Sequence, residues 1–365
     1  MMNFRNAFIL ASLLAVMPMG AQESQKLTAN KHNEYGLIYS LPVTHLNIEV
    51  EAVKTIKKAG PYYKYAKKYL GVSDVVSSDS QTWAIKDVSI TPVGVPDKQN
   101  EYLMQFKSGS APFLVLDAAG LPIAINAEVD EAVVKRKRNQ MPDKDILEGA
   151  DYANVFSEDM VASESTMKKA EAAAAKIFEL RESRNDLVSG NADKMPPDGA
   201  SLKLMLDELN RQEAVLTAMF IGSTQTETKV FRFDYEPVDE VKNETLFRVS
   251  NFNGIVDKND LSGEPVYLNL SISERGELPV NEKGEEKKLP KGAVMYCIPG
   301  KADVSLVYNG KTIAKESVQV AQFGVEFGLD PKMFTDKKAP AYVIFNPESG
   351  SIKEIGTVET PLPTE

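Results

Sequence analysis

Only two histidines and one cysteine are available for chemistry in this chain of 365 residues, against 52 carboxylates. Histidine is the usual proton shuttle and zinc ligand of a hydrolase, yet only His32 and His45 exist, so a three-histidine zinc site is excluded. His45 alternates with the apolar Leu46 and Ile48, which predicts an outward-facing, hydrogen-bonded surface role. A Ser-His-Asp triad would have to recruit one of these two histidines, without any Gly-x-Ser-x-Gly elbow to present the serine. Cys297 lies among Val294, Met295, Tyr296 and Ile298 and reads as a small hydrophobe. A glycan hydrolase needs two carboxyl groups facing each other at roughly 5 to 10 Å. Asp234, Glu236 and Asp239 are candidates by position, but acids at a strand end read first as a solvated turn. The lone Trp83, near Ile85, reads as core rather than as a sugar platform. No catalytic residue, metal ligand or cofactor site is therefore assigned.

The positively charged residues carry more information. Lys54, Lys57, Lys58, Lys64, Lys67 and Lys68 fall within fifteen residues that contain no acid, although the whole chain has a formal charge of -10. Tyr62, Tyr63, Tyr65 and Tyr69 are interleaved with them, and tyrosine is an interface-type aromatic. The plain reading is a solvated helix face whose lysine stems cover the tyrosine rings. The functional reading is a contact surface for an anionic envelope polymer or an acidic protein. Lys54, Lys57, Lys58, Tyr62, Lys64, Tyr65, Lys67 and Lys68 are the residues expected to form it. Asn243-Glu244-Thr245 has the form of a glycosylation acceptor, which a bacterial origin would make irrelevant.

Compartment follows from the first residues. Arg5, the apolar run Ala7 to Met17, Pro18 and the small pair Gly20-Ala21 have the order of a secretory signal, with cleavage expected after Ala21. No cysteine lies near that point, so a lipoprotein is not expected. A single cysteine also rules out an internal disulfide, leaving hydrophobic cores to hold the fold. No later run approaches the ~18 apolar residues of a membrane span, so no integral membrane segment is expected after cleavage. The acidic balance disfavours nucleic acid and anionic membrane as partners.

The elements that must position these residues divide the chain into an expected export signal (1–21), a mixed α/β domain (22–130), a connection with a helical hairpin (131–225) and a β-rich domain (226–365). In the first domain, strands are expected over 34–41 and 44–52, a helix from Pro61 to Leu70 stopped by Gly71, and strands over 82–90, 101–106, 112–117 and 121–126. The hairpin consists of one helix capped by Ser163 and ended by Gly190, and a second following Pro196-Pro197-Asp198-Gly199 and ended by Gly222. Met167, Ala170, Ala174, Ile177, Phe178 and Arg181 share one stripe of the first helix. Leu202, Met205, Leu206, Leu209, Leu216, Met219 and Phe220 form that of the second. Beyond Thr224, alternating runs at 231–235, 266–272, 304–308 and 318–323, with Asn309-Gly310 as a hairpin turn, predict an antiparallel sandwich or partial barrel. The fold class is α+β.

Several strings occur together: Tyr39-Ser40-Leu41-Pro42 with Thr44, Lys58-Ala59-Gly60-Pro61-Tyr62 with Tyr65-Ala66 and Tyr69-Leu70-Gly71, Tyr296-Cys297-Ile298-Pro299-Gly300, Ala321-Gln322-Phe323-Gly324 and Phe345-Asn346-Pro347. With Phe178, Arg181, Arg184 and Gly190, they resemble a family of exported proteins of unknown function from Bacteroidetes-type Gram-negative bacteria. The resemblance implies a periplasmic or outer-membrane-associated location and brings no catalytic residues; Cys297 stands where a polar or basic residue is the more usual one. The expectation is a non-enzymatic exported module for binding, assembly or scaffolding, whose partner is an envelope protein, cell-wall or glycan component. The alternatives are a carboxylate-dependent glycan or peptidoglycan hydrolase and a carbohydrate-binding or adhesive module.

Overall fold

A computed structural model describes residues 36–105, 114–129, 138–142, 144–147, 155–336 and 339–358. The expected export signal and most of the basic run from Lys135 to Arg138 lie outside the described residues. Strand β1 (Gly36–Lys58) pairs along its length with β2 (Ser80–Gln105) and, from Leu46 onward, with β5 (Ser223–Tyr235), in the sheet order β2-β1-β5. A second sheet joins β6 (Val241–Ser250), β7 (Gly254–Val256), β8 (Glu264–Glu274), β9 (Val294–Tyr308) and β10 (Lys311–Leu329) in the order β10-β9-β8-β6-β7, curled as a partial barrel. A third has the order β12-β11-β4-β3, from β3 (Leu114–Leu116), β4 (Pro122–Ile125), β11 (Ala341–Phe345) and β12 (Ile352–Thr357). With antiparallel pairing throughout and helices α1 (Ala66–Leu70), α2 (Glu158–Ala162), α3 (Thr166–Ser189) and α4 (Gly199–Ile221), the fold is α+β with a C-terminal partial barrel.

Three apolar cores account for this arrangement. Leu46, Ile48 and Val50 of β1 meet Phe247, Leu268, Val304 and Phe323 of the second sheet in the first. Within it the Phe233 and Phe247 rings stack with centroids 4.7 Å apart. Tyr39 and Leu41, earlier on β1, join Cys297, Ala321, Phe334, Val343 and Phe345 in the second. Just beyond the end of β1, Tyr62 and Ala66 join Ala170, Ile177, Leu216, Met219 and Phe220 in a helical core. One strand and its continuation thus enter all three.

Long-range pairing makes several elements longer than their local patterns. The strands expected over 34–41 and 44–52 are one strand with a register shift between Ser40 and Pro42. Those expected over 82–90 and 101–106 are likewise the single strand β2 as far as Gln105. Pro42 is tolerated because β5 does not reach that part of β1, and Pro92 and Pro96 because β2 is an edge strand. The helix expected from Pro61 is a single 3-10 turn, Tyr63–Tyr65, followed by the short α1. Ser163 ends α2 rather than capping α3, whose preceding residue is Ser165. Asp198 caps α4, its carboxylate accepting from Ser201 N at 2.7 Å. Asn309 and Gly310, at φ 50° and 71°, join Tyr308 to Lys311 as a two-residue turn in which both positions need positive φ.

The separated strings noted in the sequence converge. Thr44, fully buried, donates its hydroxyl to Glu348 O at 2.8 Å and accepts from Ala321 N at 2.9 Å. The Gln322 side chain accepts from Thr44 N at 2.9 Å and donates to Thr44 O at 2.8 Å and to Pro237 O at 3.1 Å. Ser349 and Ser351 donate to Gln319 Oε1 at 3.1 Å, and Asn346 Nδ2 donates to Ser351. Cys297 N donates to Gly350 O at 2.9 Å. These contacts fasten β1, β9, β10 and the turn after β11 into one buried polar knot.

Candidate binding site

The end of β1 is clamped to the last turn of α4. Tyr62 N donates to Met219 O at 2.8 Å, and a Cβ on Gly60 would lie 2.2 Å from the same oxygen, so only glycine permits this approach. This close seating sorts the residues of the basic segment. Tyr62 is buried, its ring 5.5 Å from that of Phe220, and belongs to the helical core. Tyr65 is half-buried on the same core, 6.2 Å from the Tyr69 ring. Lys58 reaches the carboxylate of Asp145 at 3.0 Å, whose side chain is only 1% exposed. Burial alone would raise the Asp145 carboxyl, but the Leu147 amide and the Lys58 ammonium hold it below the usual carboxylate range.

The remaining lysines stay on the surface. Lys54 is half-buried opposite Trp83 and Glu227, while Lys57 is exposed on the other face of β1 by the strand period of two. Lys64, Lys67 and Lys68 are exposed. Lys64 stands over the Tyr63 ring at 5.7 Å and Lys68 over that of Tyr69 at 4.8 Å, where stem packing and cation–π attraction both apply.

Beside the end of β1 opens a cleft of about 650 Å³ between α3, α4 and the start of β5. Thr224, opposite Lys57 in the β1–β5 ladder, forms part of its wall, so the cleft and the lysine-bearing strand end are continuous. Lys144, Arg181 and Arg184 supply positive charge, and the start of β5 adds polar side chains, with the Ser223 hydroxyl itself buried. Arg181 and Arg184, one helical turn apart on α3, both reach Glu213 of α4, Arg181 Nε at 2.6 Å, and Arg184 also donates to Asn210 at 3.0 Å. Later residues of α3 thus meet earlier residues of α4, which fixes the hairpin as antiparallel. Burial raises the Glu213 carboxyl, but the two guanidinium groups more than offset this and hold it low. The Thr217 hydroxyl at the wall is buried with no hydrogen-bond partner among the described residues.

The cleft presents cationic and polar groups with little free carboxylate. Glu213 is the one carboxylate among the described lining residues, and its two oxygens are occupied by arginines. A carboxyl held low is a poor proton donor near neutral pH. His45 lies elsewhere, its Nδ1 2.8 Å from Asp234 Oδ2, in the outward position its alternation predicted. Cys297 is 4% exposed, and burial together with Glu326 pushes its thiol up to about 12. Trp83 is buried, edge-on to Phe231 at 6.5 Å. Among the described residues no group of three or more His, Cys, Asp or Glu could hold a metal ion, and no helix is long and apolar enough to cross a membrane.

Lys57, one of the residues expected from sequence to form a contact surface, lies beside this cleft, whose own lining the sequence pattern does not single out. Arg181 entered the reading as part of an apolar stripe, when its spacing from Arg184 and the acid at Glu213 on the next helix were the available signals. Asp145 and Lys144 lie in a stretch with no periodic pattern and carried no signal.

The model of a domain of unknown function, DUF4831, matches residues 35–353, and the chain belongs to that family. No curated protein and no solved structure matches the chain.

Proposed function

We propose that this member of the DUF4831 family is a non-enzymatic exported module of a Gram-negative cell envelope, which captures an acidic envelope component at the cleft beside the end of β1. The observation that carries this reading is the cleft itself: three cationic side chains and polar side chains at the start of β5, continuous with exposed Lys57, and one carboxylate already engaged by two arginines. Lys64 and Lys67, on the turn and short helix that follow β1, are also exposed. Export rests on the charged, apolar and small-residue order of the first 21 residues. A second reading, a carbohydrate-binding module, draws on the polar side chains of Thr224, Gln225 and Thr226 beside the cleft.

The test is amine-reactive crosslinking of the tagged protein in its host envelope, with the linked residues identified by mass spectrometry. Crosslinks to one protein partner at Lys57, Lys64, Lys67 and Lys144 are expected. The variant K57E/K64E/K67E, altered only at surface positions, should capture that partner at least about tenfold less well. Capture unchanged in this variant would remove the basic face from consideration. A monomer without crosslinks that binds a neutral polysaccharide in calorimetry would establish the carbohydrate reading instead.

A further inference from the structure

The tip of the helical hairpin is built differently from its base. Burial on α4 is concentrated at Val215, Leu216, Ala218, Met219 and Phe220, next to the body of the protein. Towards the tip the same amphipathic pattern continues without a cover: Leu204 is 74% exposed, Val188 71%, Met195 48% and Met205 45%. Between the end of α3 and the start of α4 lies an open groove of about 580 Å³, with Leu187, Leu204, Met205 and Leu209 along it and Asp186, Asp193, Lys194 and Glu208 at its margin. From Glu182 to Glu208 the hairpin carries six carboxylates against three basic side chains, and Glu208 is itself bound by Arg211 just beyond, Nη2 at 2.7 Å and Nε at 2.8 Å. One of those three, Arg184, is turned back to Glu213 and Asn210.

We propose that this groove is a second docking site, and that its occupant is a cationic amphipathic helix of a partner protein. The apolar floor calls for a ligand with Leu- or Met-sized side chains on one face, spaced at i, i+3 or i+4 and i+7. Asp186 and Asp193 at its margin select lysine or arginine on the flanks of that helix. Methionines at the groove adapt their shape to a mobile ligand at low cost. The charge is opposite to that of the cleft beside β1, so the two sites do not compete for one partner. A chain with both would join an acidic component to a basic one, which is the work of an assembly factor.

The probe is a synthetic, end-blocked peptide of about 15 residues, with leucines at amphipathic helical spacing and lysines elsewhere, long enough to form a helix when bound. Its affinity for the full chain is measured by fluorescence anisotropy. L204E/M205E changes two exposed side chains and leaves the buried hairpin base intact, which circular dichroism checks. This variant should bind the peptide at least about tenfold more weakly. D193N should bind it more weakly than the parent chain at low salt, with the difference lost at high salt. A scrambled peptide of the same composition bound equally well would overturn the proposal, because only net charge would then be read. So would undiminished binding to L204E/M205E, or a concentration-dependent dimer abolished by that variant, which would make a second copy of this chain the occupant.

Discussion

Thr44 shows how one side chain can hold three distant segments. Its hydroxyl bridges Glu348 O and Ala321 N in a fully buried position, while its backbone is gripped on both sides by the Gln322 amide. Thr44→Val keeps the shape and removes the hydroxyl, leaving the Ala321 amide without its acceptor inside the protein. The expected loss is about 2 kcal/mol or more in urea unfolding, and Thr44→Ser should recover most of it. A loss for Thr44→Ser with none for Thr44→Val would show that the methyl group, not the hydroxyl, matters there. Cys297 is the opposite kind of residue, one whose chemistry is suppressed by its surroundings. Its thiol, pushed up to about 12 by burial and by Glu326, carries almost no thiolate at pH 8. Iodoacetamide should leave the folded protein unlabelled and modify the cysteine once denaturant is added. Rapid labelling of the folded chain would overturn the view of Cys297 as a core side chain.

At the level of elements, the α3–α4 pair depends on a single carboxylate. Glu213 binds Arg181 and Arg184 together, and its side chain is 14% exposed against 39% and 33% for its partners. Because the folded state holds this carboxyl below its usual value, its stabilisation is complete above the unfolded glutamate range near ~4.3 and fades as pH falls through the lower, folded value. Glu213→Gln should therefore lower the melting temperature at pH 7, and the gap from the parent should close as pH drops below about 4. A gap constant with pH would mean that the glutamine's shape, not its charge, is responsible. The same element scale shows what the amino-acid pattern reveals. The apolar stripes of the long helices are legible only in part, since Met167, Phe178 and Met205 are exposed. The Asn309-Gly310 turn and the glycine ends of both long helices are legible because the residues responsible are neighbours in sequence. The continuity of β1 across Pro42 is not, since it follows from which strands lie on either side. The fates of Lys58 and Tyr62 are hidden for a related reason: Asp145 and the end of α4, which bury them, are contributed by remote stretches. Composition located the basic segment; only packing separates its exposed lysines from its structural ones.

For the molecule as a whole, β1 and the turn after it are the common thread. Tyr39 and Leu41 serve one core, Leu46, Ile48 and Val50 another, and Tyr62 and Ala66 the helical one. A strand shared in this way resists piecewise melting, because detaching the helices strips Tyr62 and Gly60 from α4 and withdraws support from the end of the β1–β5 ladder. The lone Trp83 reports on the β body, through its contact with Phe231 and with Lys229 at 5.5 Å over its ring. Far-ultraviolet circular dichroism near 222 nm reports on α3 and α4. If the chain unfolds as one unit, the two signals should trace the same transition on heating, with one midpoint. A helical signal lost several degrees before the tryptophan signal would show that the hairpin melts on its own and that the clamp at Gly60 does not couple it to the sheets. The outcome bears directly on how a partner at the tip could be sensed at the cleft. In a single cooperative unit, ligand held by α3 and α4 stabilises the strand end that carries Lys57, so occupancy of either site would raise the melting temperature of both signals together.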